Sequence, residues 1–427
     1  MNATIDVLEL RVGMYVHLDL GWMAHPFPRS NFKLGSVEQI AEIRALGLQR
    51  IRWSPDKSDP PPPAESAPGL LSPPLPPALP DVDEPKVSRR EALADQRAAQ
   101  SLMERQYANA AGAWREANSR VVDQPAAARL GAEALTSLLL DKMPGDHDLC
   151  IRLLAEGAGD RAAAHALNVA ILSLLMGRVF GFGEAEMLDL GLGALLHDIG
   201  KHDLPVRLHE PEEGASAAEL GLYREHVANG LRHGRRMALT PGVLQVIEQH
   251  HEQADGSGFP QQLPLEKMCG AARIVALVNR YDNLCNPLLA SKALTPHEAL
   301  SVLFAQGRHK FDPTMMAGFV RMMGVYPPGS LVQLTDNRYG MVLSANSSRP
   351  LKPRVLVHDA KVQRDDALHV DLEREPELGI RRSLKSSQVP TATLHYLAPA
   401  RRIAYFFEPA GVPLAAKARQ PIKEHRS

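Results

Sequence analysis

The spacing of apolar and polar residues changes character several times along the chain. Short alternating runs at Ile5–Leu8 and Met14–Leu18, a helical period over Val37–Ala45 and a run at Leu48–Trp53 predict a small α/β module over residues 1–54. Periodicity then stops. Twelve of the 34 prolines fall between Pro55 and Pro85, which predicts an extended, semi-rigid linker over 55–88. Arg89–Asn118 is rich in Ala, Glu, Arg and Gln and predicts one long helix in a connecting segment, 89–125. That helix suits a signal relay, a homodimer contact or a solvated connector. From Ala126 to Met323 helical apolar periods dominate and strand-type runs are nearly absent, so 126–326 is expected to be an all-α bundle. After Tyr326-Pro327-Pro328 short β-like runs return at Ser330–Leu334, Gly340–Leu343, Arg354–Val357 and Ala367–Val370. These predict a C-terminal β-rich module over 327–412, with Thr391–Phe407 its least defined part and a polar, disordered tail at 413–427. The expected fold is multidomain and mainly α: a helical bundle between a small N-terminal α/β module and a C-terminal β-rich module.

Composition narrows the function classes. The chain has 427 residues, enough for two to four domains with cores of their own. Lys and Arg total 48 against 49 Asp and Glu, a net charge of −1, so no polyanion-binding stripe is indicated and DNA is not an expected partner. The three cysteines, Cys150, Cys269 and Cys285, form no C-x-x-C pair, which excludes a disulfide framework and a thiolate zinc module and fits a reducing compartment. Asp6, Glu9 and Arg11 interrupt the start where a secretory leader would be apolar. The longest apolar stretch, around Val169–Met176, falls short of a bilayer span. A soluble cytoplasmic protein without membrane insertion is expected.

The candidate chemistry lies in the helical block, where His165, His197-Asp198, His226 and His250-His251 follow one another. His197-Asp198 closes an apolar helical run and is followed at once by Gly200 and Lys201. Burying such a pair without partners costs several kcal/mol, roughly, and a divalent metal is the natural compensation. A carboxylate as short as Asp198 is able to bridge two ions, and Lys201 adds a cation able to hold a phosphate oxygen. His250 continues the stripe of Val243, Val246 and Ile247, and His251 stands about 100° round the helix from it. Two adjacent histidines approaching one core are hard to explain by packing; two metal ions explain them.

LLHDIGK at 195–201 with HHEQADGSGFP at 250–260 resembles the HD-GYP domain, a bacterial branch of the HD metal-dependent phosphohydrolases, with Phe259 in place of the usual Tyr. RIVALVNRYDNL at 273–284 is similar to that family's helix ending in a YDAL-type motif, and residues 10–54 resemble the N-terminal domain of uncharacterised function that often precedes HD-GYP domains. The resemblance implies an all-α domain holding two divalent metals, iron or manganese, and hydrolysis of cyclic di-GMP to pGpG or GMP by a hydroxide held between them. His165, His197, Asp198, His226, His250 and His251 take the positions of metal ligands, with Asn279 at the place of a further one. Asp198 and Lys201 take the catalytic positions, Lys201 contacting the scissile phosphate. Asp255, Gly256, Gly258, Phe259 and Pro260 would shape the wall of the substrate pocket. Signalling partner proteins also belong to what the resemblance implies.

Three further positions depart from the family pattern. Asn279 stands where the family has an aspartate ligand, so one ion should be held more weakly. Arg161 stands where trinuclear members carry a glutamate, so at most two metals are expected. Leu288 falls where the family has an arginine that binds the dinucleotide. Two alternatives therefore stand beside the phosphodiesterase: a catalytically weakened or inactive scaffold binding nucleotide or partner proteins, and a phosphohydrolase acting on another nucleotide.

Overall fold

The computed structural model describes residues 3–18, 31–46, 48, 50–59, 88–143, 149–154, 160–210, 214–307, 309–346, 351–397 and 402–409. Packing divides the chain into two units, Met1–Ala92 and Leu93–Ser427. The first is an antiparallel sheet of β1 (Ala3–Asp6), β2 (Tyr15–His17), β3 (Asn31–Lys33) and β4 (Arg50–Ser54) in the order β1-β4-β2-β3, with one helix, α1 (Val37–Ala45). Val7, Met14, Val16, Leu34, Ile40, Ile43 and Ile51 form its core. The α/β module thus has the predicted elements, but it runs beyond 54. Pro55–Lys57 make a 3-10 turn, and the Ser58 hydroxyl accepts from the Tyr15 amide at 2.8 Å. The rest of the predicted linker and the predicted tail lie outside the described residues.

The second unit opens with α2 (Arg89–Ser119), the predicted long helix. Its buried residues recur every three or four positions, at Gln96, Met103, Tyr107, Ala110, Trp114 and Ala117, and they pack into the core of their own unit. That stripe is packed within the chain. The Trp114 indole donates to the Leu195 carbonyl at 3.0 Å, two residues before His197.

Next come α3 (Pro125–Asp141), β5 (Leu149–Leu153), α4 (Arg161–Val179), α5 (Glu184–Leu196), α6 (Ala217–Arg236), α7 (Pro241–Gln249), α8 (Gly270–Cys285), α9 (Pro296–Gly307) and α10 (Pro313–Met323). α4 and α8 are buried almost all round, as central helices must be. α4 is long and apolar enough to cross a membrane, but 78% of its apolar window is buried in the bundle, so that apolarity serves the core.

The remaining elements are β6 (Leu331–Leu334), β7 (Tyr339–Asn346), β8 (Arg354–Val357), β9 (Val370–Asp371), β10 (Ile380–Leu384), α11 (Thr391–Leu397) and β11 (Tyr405–Pro409). The seven-stranded sheet runs β10-β6-β7-β5-β11, with β8 pairing β7 and β9. Here the expectation of an all-α block followed by a separate β module needs correction. β5 lies inside 126–326, yet it pairs antiparallel with β7 (Ile151 opposite Ala345) and with β11 (Ile151 opposite Phe407). LCIRL is a five-residue apolar run, too short for its period to tell strand from helix. The predicted strand at Ala367–Val370 shrinks to β9, and Thr391–Phe407 splits into a helix and a strand.

Candidate metal centre and cleft

His165 sits just past the first turn of α4, and His226 lies midway along α6. His197 and Asp198 stand where α5 gives way to a 3-10 turn, Ile199–Asp203. His250 caps the C-terminus of α7, and His251 follows it. Gly200 permits the approach of the 3-10 turn to α6: a Cβ there would overlap the His226 carbonyl and the Gly230 amide.

These elements bring six of the predicted ligands together in two sets that share Asp198. His165, His197 and Asp198 form one; Asp198, His226, His250 and His251 form the other. Asp198 Oδ2 lies 3.7 Å from His165 Nε2 and 3.4 Å from His197 Nε2. Its Oδ1 lies 3.7 Å from His226 Nε2 and 3.8 Å from His250 Nε2. Within the sets, Nε2 atoms approach to 3.2 Å (His165, His197) and 3.3 Å (His226, His250). Two donors each about 2.1 Å from one ion and roughly at right angles stand about 3 Å apart, so these spacings suit a metal. The buried Asp198 Oδ1 has no hydrogen-bond partner among the described residues, which is the signature expected of a ligand atom.

The far side of each ring supports the same reading. Nδ1 of His197, His226 and His250 donates to the carbonyl three residues earlier, at Ala194 (2.8 Å), Tyr223 (2.5 Å) and Ile247 (2.8 Å). His165 Nδ1 donates to Asp282 Oδ2 at 2.6 Å. With Nδ1 carrying the proton, the Nε2 lone pairs face inward. Asp282 is itself held by Asn168 (2.7 Å) and Asn286 (2.8 Å), so it orients His165 rather than joining the inner set. Burial pushes the His226 imidazole down to about 4, and burial with neighbouring histidines pushes His250 and His251 well below their usual value. Burial would raise the Asp198 carboxyl, but Lys201 and His197 outweigh it and hold it well below the usual carboxylate range. Neutral imidazoles around an ionised carboxylate are the protonation states that metal binding needs.

Lys201 Nζ contacts Asp198 Oδ2 at 2.7 Å, and both line a cleft of about 600 Å³. Other walls of the cleft are His250, His251, Tyr223, Asn279, Arg280, Leu288 and Lys310. Asn279 is thus at the cleft, with its Oδ1 accepting from Asn283 at 2.7 Å. Asp255, Gly256, Gly258, Phe259 and Pro260, expected on the wall of the substrate pocket, are not among the residues that line this cleft. Asp255 turns back to cap Ser257, the backbone at Gly258 packs against His251–Gln253, and the Phe259 ring stacks on His251 at 4.5 Å. The loop buttresses His251, a member of the candidate ligand set. Glu252 pins it by accepting from the Gln261 and Leu263 amides at 2.7 and 2.9 Å.

Sequence reasoning missed Tyr223, whose hydroxyl lies 3.3 Å from His251 Nε2 and whose carbonyl holds His226. Its position one helical turn before His226 was the available signal. Arg161 is paired with Glu210 and donates to the Asn286 carbonyl at 3.1 Å.

Residues 149–315 match the HD domain family, and residues 2–131 match a family described as a domain of unknown function, DUF3391. The chain is 30% identical over 364 residues to a cyclic di-GMP phosphodiesterase of Pseudomonas aeruginosa, covering 84% of this chain and 85% of that protein. It is 27% identical over 186 residues to a 3'3'-cGAMP-specific phosphodiesterase of Vibrio cholerae, covering 42% of this chain and 35% of the relative. Among solved structures, an HDG"Y"P protein from Bdellovibrio bacteriovorus aligns with 75% of this chain and 98% of its own, at 16% identity and a TM-score of 0.37. The matched HD domain and the relative spanning most of both chains define the class: this is a metal-dependent phosphodiesterase. The chain belongs with the HD-domain phosphodiesterases, with a DUF3391 domain ahead of the HD domain.

Proposed function

We propose that this chain hydrolyses cyclic di-GMP to pGpG and onward to GMP, working in the cytoplasm with two divalent ions, iron or manganese. The observation that carries the reading is the division of Asp198: one carboxylate oxygen faces His165 and His197, the other faces His226 and His250. His165, His197 and Asp198 would hold one ion, and Asp198, His226, His250 and His251 the other, with Asn279 supplying a neutral amide oxygen. Bound ions of this kind acidify a water towards neutral pH and offset phosphate charge. The protein's share is to keep the imidazoles neutral and aimed, and to bring Lys201 to the charge that builds on phosphorus. Arg280 and Lys310 make no side-chain ion pair among the described residues, and both line the cleft, where they would meet the dinucleotide's second phosphate.

The test is anaerobic hydrolysis of cyclic di-GMP with Fe(II) or Mn(II), separating pGpG from GMP. Turnover should fall by at least about a thousandfold in Asp198→Ala. No turnover by folded, metal-loaded wild type would overturn the proposal. Leu288, half exposed on the cleft wall at 51%, favours a second reading in which another cyclic dinucleotide is preferred. A kcat/KM comparison of cyclic di-GMP with 3'3'-cGAMP separates the two.

A further inference from the structure

A second cleft, of about 430 Å³, lies between the first half of α2 and the C-terminal sheet, wholly within the second unit. Its size is in the range of small-molecule sites. Arg152, Arg364 and His369 line it, and in each a buried nitrogen lacks a partner among the described residues: Arg152 Nε, Arg364 Nε and His369 Nδ1. Arg152 is only 4% exposed. Two orphaned guanidinium N–H donors and an unpartnered imidazole nitrogen in one cavity are unusual, because a buried, unpaired polar group costs roughly 1–3 kcal/mol.

The local charges do not resolve the orphans. Arg152 Nη1 pairs with Glu408 at 2.7 Å, Arg354 with Asp371 at 3.2 Å and Arg97 with Asp366 at 2.9 Å. Arg364 has no ion pair among the described residues. Burial, then the positive charge of Arg152, Arg354 and Arg364, pushes His369 down to about 3. The remaining carboxylates on the cleft are Asp365, which is exposed, and Glu104, which accepts from Gln100 at 3.0 Å. The backbone is already tied: Gln96 donates to the Ala367 carbonyl (3.0 Å) and accepts from the His369 amide (2.8 Å). The cleft therefore presents guanidinium donors and an imidazole nitrogen, apolar residues Met103, Leu153 and Met341, and two carboxylates, Glu104 and the exposed Asp365.

We propose that this cleft binds an organic phosphate of about mononucleotide size, separate from the metal centre. Its phosphate would meet Arg152, Arg364 and His369, matching the fork geometry of guanidinium. Its body would lie on the apolar residues, and an amino or hydroxyl group would meet Glu104.

The experiment is hydrogen–deuterium exchange and calorimetry on the metal-loaded full chain, with GMP and inorganic phosphate as probes. GMP should protect amides in 96–104 and 365–369, and Arg364→Gln should weaken that binding at least tenfold while hydrolysis of bis(p-nitrophenyl) phosphate is unchanged. Arg364→Lys, which keeps charge without the fork, should fall between the two. Protection confined to the histidine cluster, or equal GMP affinity in wild type and Arg364→Gln, overturns the proposal. Inorganic phosphate binding as tightly as GMP overturns the assignment of a mononucleotide-sized ligand. If Arg364→Gln does not fold, the protection pattern of the wild type alone decides.

Discussion

Asp198 is a two-sided carboxylate at the junction of two histidine sets, and Asn279 is the predicted ligand that brings an amide where a carboxylate was expected. Restoring the carboxylate by Asn279→Asp should tighten the weaker metal, read as slower loss of the ion to a chelator, and should raise turnover where metal is limiting; unchanged chelator kinetics would remove Asn279 from the metal's surroundings. The histidines also set the acid limit of the metal-free protein. His226 has a folded value of about 4 against 6.5 when unfolded. Between those values the unfolded chain binds the extra proton, so stability is complete above pH 6.5 and is lost as pH falls through 4. Roughly 3 kcal/mol is at stake from His226 alone, and His250 and His251 shift in the same direction. Denaturant midpoints of metal-stripped protein should therefore fall from pH 7 to pH 4; a flat profile would show that the imidazoles are not held neutral. Most of this inner set was legible in the sequence because ligand types stand adjacent at helix ends. Asp282 and Tyr223 were not read into it, since a second layer acts through hydrogen bonds that only the packing of α4, α6 and α8 creates.

Each element of the candidate metal centre carries a local device that aims it. His197 and His250 both stand at helix C-termini, where the free carbonyls of Ala194 and Ile247 take their Nδ1 protons. α6 is started by a capping box of Ser216 and Glu219, and α7 by Thr240 ahead of Pro241. Gly200 is the tightest of these devices, since the turn after Asp198 lies against the backbone of α6. Gly200→Ala must push the turn off α6, and it should cost about 3 kcal/mol or more and separate Asp198 from His226. Metal stoichiometry and thermal midpoint should fall together; a variant that binds metal normally would mean that the turn has slack. Helices announced themselves by period, but β5 did not: five apolar residues between helices carry no period of their own, and only pairing with β7 and β11 makes them a strand.

The sequence suggested cutting the chain at 326, between a helical enzyme and a β module; the packing of the second unit argues against that cut. The last described strand is bonded to the helices that carry the site. Asn168 of α4 donates to the Ile403 carbonyl at 2.8 Å and accepts from the Tyr405 amide at 2.9 Å. Asn286, at the end of α8, donates to the same Ile403 carbonyl and accepts from the Ile403 amide at 2.7 Å. The Tyr281 and Tyr405 hydroxyls meet at 3.0 Å in the core. Both asparagines also hold Asp282, which holds His165. The far C-terminal strand is thus three hydrogen bonds from His165 of the candidate site. Removing it would break four hydrogen bonds made by two buried side-chain amides, those of Asn168 and Asn286, leaving both amide oxygens without these partners at roughly 1–3 kcal/mol each, and would strip β5 of a neighbour. A chain ending at residue 326 should therefore lack cooperative unfolding and fail to retain metal, whereas a chain ending at residue 409 should keep both. A folded, metal-loaded 1–326 fragment would restore the module boundary that hydrophobic pattern alone proposes.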